Sequence, residues 1–214
     1  MTALKPDAPG WREQAIIPVL TVRKAANAAR TATVLAEAGL KFIEVTLRTP
    51  ESLAAIRAMA AANTGAIIGA GSIRSPRDID DAVAAGAQFL VSPGQTDTLL
   101  KAGLAAPVPF IPAAATPAEM MRAMEAGFPV VKFFPAEASG GIKALSAMLA
   151  PLHDLAVMPT GGITPTNAPD YLKTPNVVAV GGSWMVKTDD LDAGRFDEIA
   201  ALARAAAAIG RQRG

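Results

Sequence analysis

Two residue types that often carry chemistry are nearly missing from this 214-residue chain, which has no cysteine and a single histidine. Without cysteine there is no disulfide, no thiolate nucleophile and no thiolate-bound zinc or iron–sulfur cluster. A single histidine excludes a metal site that is built from two or more histidines. We therefore predict that lysine, carboxylate and hydroxyl groups carry most of the chemistry if the chain is an enzyme.

A strong net charge and long apolar segments are also missing. The 20 Lys+Arg and 19 Asp+Glu give a net charge of +1 without a basic block, which argues against a nucleic-acid partner. The longest uncharged stretches, such as residues 104–118, contain several prolines and fall short of the roughly 20 residues that span a membrane. Residues 1–11 lack the apolar centre of a signal peptide. These absences predict a cytoplasmic protein with no membrane partner.

Short apolar runs recur along the chain, and each is rich in Val, Ile and Phe. They begin at intervals of 21 to 26 residues. Runs of this kind are typical of parallel strands that are buried on both faces. The runs are IIPVL from Ile16, FIEVTL from Phe42, AIIGAG from Ala66, QFLVSPG from Gln88, PFIPA from Pro109, VVKFFP from Val130, AVMPTGG from Ala156 and VVAVGGS from Val177.

The segments between these runs carry the start and stop signals of helices. A hydroxyl residue before a proline predicts an N-cap followed by the first helical position. Glycine after alanine predicts the left-handed residue that ends a helix. The N-terminal pairs are Thr49-Pro50, Ser75-Pro76, Thr116-Pro117 and Thr164-Pro165, and the C-terminal glycines are Gly39, Gly86, Gly103 and Gly127.

Strand, helix and strand alternate without interruption along the chain. This order favours an α/β fold in the form of a compact (β/α)₈ TIM barrel, with an open doubly wound sheet as the alternative. We predict one domain over residues 1–214, with residues 1–14 as an N-terminal arm or a helix that plugs the barrel. Residues 189–214 are predicted to close the barrel as a C-terminal helix. His153 would lie away from the carboxyl ends of the strands, where we expect a surface or capping role.

Two predicted strands contain charged residues at positions that should face the interior. In the second run, Glu44 and Arg48 share one face while Ile43 and Val45 share the other, because alternate residues of a strand point to opposite sides. Lys132 interrupts the sixth run in the same way. Buried charges are costly unless they are paired or bind a ligand. The simplest structural interpretation is an internal ion pair of Glu44 with Arg48 or with Lys132.

The functional interpretation is that Lys132 is a nucleophile. Desolvation lowers the pKa of a lysine, and a neutral amine is what attack on a carbonyl carbon requires, whereas a facing carboxylate would raise the pKa. The alternative is a lysine that reaches solvent from an edge strand, but a closed barrel has no edge strand. The residues alone therefore leave the pKa of Lys132 open.

Glycine pairs follow the last two predicted strands. Gly161 and Gly162 follow the seventh run, and Gly182 with Ser183 ends the eighth. In TIM barrels the loops after these strands commonly bind phosphate through backbone N–H groups. Such pairs also occur as ordinary tight turns, but their positions favour a phosphorylated substrate.

Several segments together resemble the 2-keto-3-deoxy-6-phosphogluconate (KDPG) aldolases, many of which also have 4-hydroxy-2-oxoglutarate aldolase activity. The resemblance covers roughly residues 15 to 205, and it is most specific in E-V-T-L-R and K-F-F-P-A-E. It implies a compact barrel, a homotrimer, a small-molecule substrate and a metal-free class I aldolase whose only covalent group is an imine on Lys132. The matching segments are FIEVTLRTPESLAAI, IIGAGS, FLVSPG, VKFFPAEASGGIKAL, MPTGGI and VGGSWMV.

The resemblance also implies a role for individual residues. Lys132 would be the Schiff-base lysine and Glu44 the general acid/base, while Arg48 and Ser72 would hold the carboxylate of the pyruvate half. The remaining positions are Pro93, Phe134 and Thr160 for the substrate, and Gly161, Gly162, Gly182 and Ser183 for the phosphate.

The chain departs from the family at two places. Threonine is usual where Ser72 stands, and I-P-G is usual where Ile111-Pro112-Ala113 stands, followed here by Ala114 and Ala115. Because of these two changes, the sequence does not decide which substrate the protein prefers. The alternatives are an aldolase for 4-hydroxy-2-oxoglutarate or for the galactonate epimer of KDPG, and a phosphate-binding barrel isomerase or synthase without a Schiff base. A non-catalytic binding barrel is a further alternative, against which the lysine, carboxylate and arginine set argues.

Overall fold

The computed structural model describes residues 10–212, which contain nine strands and ten helices. The strands are β1 (Ile16–Leu20), β2 (Phe42–Thr46), β3 (Ile67–Gly71), β4 (Phe89–Val91), β5 (Phe110–Ile111), β6 (Ala113–Ala114), β7 (Val130–Phe133), β8 (Ala156–Pro159) and β9 (Val180–Gly182). The helices are α1 (Trp11–Gln14), α2 (Ala28–Glu37), α3 (Ser52–Ala61), α4 (Pro76–Ala84), α5 (Asp97–Ala105), α6 (Pro117–Glu125), α7 (Gly141–Leu149), α8 (Ala168–Leu172), α9 (Thr188–Asp192) and α10 (Phe196–Arg211), with a 3₁₀ turn at Ala25–Asn27. None of the helices between residues 10 and 212 is long and apolar enough to cross a membrane.

All strand pairs are parallel, and they form two ladders. Six strands follow the order β5-β4-β3-β2-β1-β9, and three follow the order β6-β7-β8. The ladders approach each other at β8 and β9 through two isolated bridges, Val157 with Val177 and Thr160 with Gly181. At the other boundary β5 and β6 are consecutive in the chain. The protein therefore has a parallel α/β fold with helices between the strands, as predicted, but its ladder is interrupted at two places.

The run that begins at Pro109 was expected to form one strand and instead forms β5 and β6. Pro112 separates them, and proline has no N–H to donate to a ladder. Its carbonyl still accepts a hydrogen bond from the N–H of Lys132 at 2.8 Å. The break lies beside the strand that carries the lysine.

Alternate strand residues face two different apolar cores. Ile43 and Val45 belong to the large core between the strands and the helices, whereas Phe42 belongs to a smaller cluster inside the sheet. The ring of Trp11 in α1 lies 5.4 Å from that of Phe42 and 5.3 Å from that of Phe89, measured between centroids. The described part of the predicted N-terminal segment thus packs at the amino ends of the strands. Residues 1–9 of that prediction lie outside the described residues.

Two of the four predicted helix starts are confirmed. The hydroxyls of Ser75 and Thr116 accept hydrogen bonds from backbone N–H groups in the first turns of α4 and α6. The starts at Thr49 and Thr164 are wrong, because α3 and α8 begin three and four residues later, after an intervening turn. The Thr49 hydroxyl bonds instead to the carbonyl of Val22.

Three of the four predicted C-terminal glycines follow a helix with a left-handed backbone, namely Gly39, Gly86 and Gly127. Gly103 is the exception and lies inside α5, where a Cβ would come within 2.3 Å of the Phe110 ring. This glycine therefore makes room for a core aromatic side chain. The predicted C-terminal helix over residues 189–214 is two helices, α9 and α10, separated by a turn at Gly194, and residues 213–214 lie outside the described residues.

Candidate active site

Lys132 lies in the middle of β7, at a position where the strand faces the interior. Its neighbours Val131 and Phe133 point the other way into the large core. In the ladder Lys132 is paired with Ala113 on one side and with Met158 on the other. The lysine is 4% exposed. The strand thus carries its amine into the protein, as the alternation of the sequence predicts.

Glu44 of β2 meets this amine across the interior. Its Oε1 lies 3.2 Å from Nζ of Lys132, and the carboxylate side chain is fully buried. The predicted internal ion pair therefore forms with Lys132 and not with Arg48. The second carboxylate oxygen, Oε2, is buried and has no hydrogen-bond partner within residues 10–212. Glu44 therefore keeps one oxygen free to accept a proton or a hydrogen bond.

The carboxylate of Glu44 has this position because Gly71 has no side chain. A Cβ at Gly71, which is the last residue of β3, would come within 2.0 Å of Oε1 of Glu44. Thr46, two residues along β2, also faces inward, and its hydroxyl donates to the carbonyl of Leu20. The absence of a side chain at Gly71 therefore leaves room for the buried carboxylate of Glu44.

Arg48 lies beyond the end of β2 and faces Ser72. Its Nε donates to Oγ of Ser72 at 3.1 Å. Ser72 follows β3 with a φ of 60°, which places it in the left-handed region that few serines adopt. Arg48, Ser72 and Pro93 line an open cavity of about 370 Å³ together with Leu47 and Arg74. A guanidinium beside a hydroxyl is suited to bind a carboxylate.

Arg48 also lines a second cavity of about 170 Å³, which contains the glycine loops. Here Gly161 and Gly162 both have a positive φ, of 99° and 80°. The cavity brings together all the predicted phosphate residues with Phe134 and Thr160. Its full lining is Val19, Thr21, Arg48, Phe134, Thr160, Gly161, Gly162, Ile163, Gly181, Gly182 and Ser183.

Phe134 connects this second cavity to the ion pair. Nζ of Lys132 lies 5.2 Å from the centroid of the Phe134 ring, close enough for a cation–π interaction. The hydroxyl of Thr160 is buried and, among the described residues, has no hydrogen-bond partner. All eleven predicted site residues therefore lie either in the ion pair or along these two cavities that share Arg48.

The alanine segment that departs from the family lies directly beside Lys132. Ala113 is the ladder partner of Lys132, and its N–H donates to the Ser92 hydroxyl at 3.3 Å. The side-chain amide of Gln95 donates to the carbonyl of Ala113 at 3.2 Å. This pairing places an alanine methyl group beside the lysine.

Two pairs of residues around the site were not predicted from the sequence. Thr21 and Thr46 place their hydroxyl oxygens 3.2 Å apart at the edge of the second cavity. Strand alternation does indicate the position of Thr21, because it lies two residues after Val19 and so shares the inward face with it.

The second unpredicted pair is Tyr171 of α8 and Glu137. The Tyr171 hydroxyl donates to Oε1 of Glu137, and the aliphatic part of Glu137 packs against Gly162, where a Cβ would come within 2.6 Å of it. Burial, and then the hydrogen bond to Glu137, raise the pKa of Tyr171 above its usual range. These contacts join α8 to the loop at Gly162. Glu137 ends the K-F-F-P-A-E segment, but no sequence signal indicated its contact with Tyr171.

The single histidine is exposed in the turn before β8, beside Arg12 and Asn176, and lines neither of the two cavities that share Arg48. Between residues 10 and 212 there is no group of three or more His, Cys, Asp or Glu side chains arranged to hold a metal ion.

Comparison with known proteins identifies the family. The family model for KDPG and KHG aldolase matches residues 10–202. The chain is 45% identical to the KHG/KDPG aldolase of Escherichia coli (strain K12) over 191 residues, which cover 89% of this chain and 90% of that protein.

Two solved structures are similar over nearly the whole chain. One is the KDPG aldolase of Legionella pneumophila with pyruvate captured as a covalent carbinolamine intermediate, with a TM-score of 0.89, 38% identity, and 94% of this chain and 97% of that chain covered. The other is the aldolase of Zymomonas mobilis ZM4 with 3-phosphoglycerate, with a TM-score of 0.90, 39% identity and 97% of each chain covered. With the buried lysine, its carboxylate partner and the glycine loops in place, these matches show that the chain belongs to the KDPG and KHG aldolase family.

Proposed function

We propose that this protein is a class I aldolase that cleaves KDPG to pyruvate and glyceraldehyde 3-phosphate through an imine on Lys132. The observation that carries the proposal is the buried pair of Lys132 and Glu44, with Nζ and Oε1 3.2 Å apart, beside a cavity lined by glycine loops. The family match over residues 10–202 supports the same activity.

The reaction begins when the amine of Lys132 attacks the C2 ketone of the substrate. Glu44 is close enough to take the proton that the ammonium must lose before it becomes a nucleophile. Glu44 then returns this proton to the hydroxyl of the carbinolamine, which leaves as water and gives an iminium, and the iminium supplies the electron sink for the next step. In the related Legionella enzyme, pyruvate was captured as the corresponding carbinolamine.

The carbon–carbon bond breaks in the second step. The carboxylate of Glu44 takes the proton of the C4 hydroxyl, directly or through a water, while the C3–C4 bond breaks and its electrons move into the iminium. Glyceraldehyde 3-phosphate leaves and an enamine remains on Lys132. Protonation at C3 and hydrolysis of the imine release pyruvate and restore the free amine. The unpaired Oε2 of Glu44 supports this role, because it is available as an acceptor.

The two ends of the substrate bind on either side of this centre. Arg48 and Ser72 bind the carboxylate of the pyruvate half, with Pro93 in the same cavity. Phe134 and Thr160 contact the carbon chain between the ends. The phosphate lies against the backbone of Gly161, Gly162 and Gly182 and the hydroxyl of Ser183, because backbone N–H groups in such loops bind anions.

The decisive experiment is reduction with borohydride in the presence of pyruvate, followed by peptide mass spectrometry. We expect a pyruvate-derived adduct on Lys132, and pyruvate release from KDPG that disappears in Lys132→Arg. The matched control is Lys173→Arg, since Lys173 is exposed and paired with Asp170 on the outside of α8. An adduct on another lysine, or full turnover by Lys132→Arg, would overturn the mechanism.

The relative named KHG/KDPG aldolase supports 4-hydroxy-2-oxoglutarate as a second substrate. This compound shares the 2-oxo acid half of KDPG but carries a carboxylate where the carbon chain of KDPG continues to its phosphate. Cleavage rates of the two compounds at equal concentrations decide the preference. A higher kcat/KM for 4-hydroxy-2-oxoglutarate would reverse the assignment of the main substrate.

We also propose that the strands close into a (β/α)₈ barrel, as one domain over residues 1–214, and that the chain is a homotrimer. The bridges between β8 and β9 and the continuity of the chain through Pro112 support the closed barrel. The resemblance to KDPG aldolases supports the trimer. Light scattering coupled to gel filtration tests the trimer, and a mass of one or two chains would contradict it.

A further inference from the structure

Thr21 is a cavity residue to which the proposed reaction assigns no role. It follows β1, and together with Val19 it lines the cavity that also contains Arg48 and Ser183. Val19 and Thr21 share this face because they are two residues apart on an extended chain. Both are partly exposed, whereas Leu20 and Val22 between and after them are fully buried in the outer core.

The position of each hydroxyl proton follows from the neighbours of Thr21. The Thr46 hydroxyl donates its single proton to the carbonyl of Leu20 at 2.9 Å. Its oxygen also lies 3.2 Å from the hydroxyl oxygen of Thr21. Because the Thr46 proton is already used, Thr21 is the donor in this second bond. Thr21 then has no proton left, and the part of the chain from residue 10 to 212 offers its hydroxyl no other partner.

The Thr21 hydroxyl therefore presents only lone pairs to the cavity. The other polar groups there include N–H donors and the guanidinium of Arg48, which bind anions. A fully ionised phosphate or carboxylate has no proton to donate to Thr21, whereas an alcohol does. An acceptor at this position favours a hydroxyl group of the substrate, which can donate a hydrogen bond to it.

We propose that Thr21 accepts a hydrogen bond from the hydroxyl of the aldehyde half of the substrate and so selects polyhydroxylated aldols. This inference rests on the proposed aldolase function and names the part of the substrate that Thr21 recognises. Thr21 is a specificity residue in this account, since the bond to be broken lies beside Lys132 and Glu44.

The test is aldol addition of pyruvate to two aldehydes, glyceraldehyde 3-phosphate and 3-oxopropyl phosphate, which differ only in the hydroxyl at C2. Valine has the shape of threonine without its hydroxyl. Loss of one neutral hydrogen bond lowers kcat/KM by about tenfold. We expect Thr21→Val to lower kcat/KM by that factor for glyceraldehyde 3-phosphate, and by less than about twofold for 3-oxopropyl phosphate.

Two variants control for changes in structure. Thr21→Ser keeps the hydroxyl and should restore the preference for the hydroxylated aldehyde. Thr98→Val makes the same substitution at an exposed position of α5 and should change neither rate. Equal losses with both aldehydes, or no loss with either, would overturn the role of Thr21 while leaving the aldolase function intact. A wild-type protein that condenses neither aldehyde would instead contradict the aldolase function and this inference together.

Discussion

Nζ of Lys132 and Oε1 of Glu44 form an ion pair of 3.2 Å in which the lysine side chain is 5% exposed and the glutamate side chain is not exposed at all. Such a pair contributes little net stability, because desolvation of the two charges offsets their attraction. Removing one partner destabilises the protein, because the charge of the other residue is then buried without a partner. Under the proposed mechanism, stability and catalysis therefore depend on the same two groups.

Lys132→Met should destabilise the protein by about 3–5 kcal/mol, because the Glu44 carboxylate is left unpaired. The double variant Lys132→Met/Glu44→Gln replaces the carboxylate with a neutral amide and should recover most of the loss. Urea unfolding at neutral pH measures both. A double variant as unstable as the single one would show that the loss is caused by packing and not by the unpaired charge.

Glu44→Gln should still give a trappable pyruvate adduct on Lys132, although more slowly, and should lose turnover of KDPG. General acid/base catalysis contributes about 10²–10⁴-fold, and the amide cannot accept the C4 hydroxyl proton. Adduct formation by mass spectrometry and pyruvate release measure the two steps separately. Glu198→Gln, at an exposed position of α10, is the matched control. Unchanged turnover in Glu44→Gln would exclude the proton-transfer role.

Tyr171 should stay protonated well above the pH at which an unfolded tyrosine ionises. It is the single tyrosine of the chain, so tyrosinate absorbance reports this residue alone. Burial and the Glu137 contact raise its pKa in the folded protein. The contribution of Tyr171 to folding stability is therefore complete below its unfolded pKa of about 10. It is lost as the pH rises through the pKa of Tyr171 in the folded protein.

Tyr171→Phe should remove this part of the pH dependence of stability. Urea unfolding of wild type and variant on either side of pH ~10 makes the comparison. Tyrosinate absorbance of the native protein that rises at the same pH as in urea would contradict the raised pKa.

Gly162→Ala should weaken the binding of phosphorylated substrate and destabilise the fold. The added Cβ would lie 2.6 Å from Cβ of Glu137, at a φ of 80°. Gly65→Ala is the matched control, because Gly65 has a φ of 75° and nothing within 4 Å of an added Cβ. The left-handed backbone costs both variants about 1–2 kcal/mol. Only Gly162→Ala should also raise KM for KDPG, and equal KM values would contradict phosphate binding at this loop.

Ser72→Ala should loosen the pyruvate half of the substrate. The substitution removes the acceptor of the 3.1 Å bond from Nε of Arg48. We expect the pyruvate concentration for half-maximal adduct formation to rise by about 2- to 10-fold. Ser146→Ala, at an exposed position on α7, should leave it unchanged. An unchanged half-maximal concentration in Ser72→Ala would show that Arg48 does not need this serine.

The alternation of residues predicted the interior of the site correctly, because a strand leaves only two directions for a side chain. Glu44 and Lys132 were placed inside on this ground, and Ile43 was placed outside. The partner of Glu44 stayed open in the sequence, since Arg48 is four residues away and Lys132 is distant. In the structure the partner of Glu44 is Lys132, because Arg48 lies beyond the end of β2 and donates a hydrogen bond to Ser72.

Local signals failed where tertiary contacts compete with them. The Thr49 hydroxyl bonds to the carbonyl of Val22 instead of capping α3, and Gly103 serves the packing of Phe110 instead of ending α5. The Tyr171–Glu137 contact joins residues 34 positions apart, and no local pattern carries such information. The homotrimer and the cytoplasmic location stay predictions.

The interruption of the ladder places Lys132 and Glu44 in two different sets of paired strands. Lys132 belongs to the three-stranded ladder and Glu44 to the six-stranded one, and between β8 and β9 the two ladders are joined only by isolated bridges. A small shift of one ladder against the other changes the distance between amine and carboxylate directly. Substitutions at the Pro112 boundary should therefore alter the reaction rate before they alter the free energy of unfolding. Under the proposed mechanism, proton transfer between the two residues is sensitive to the alignment of the two ladders.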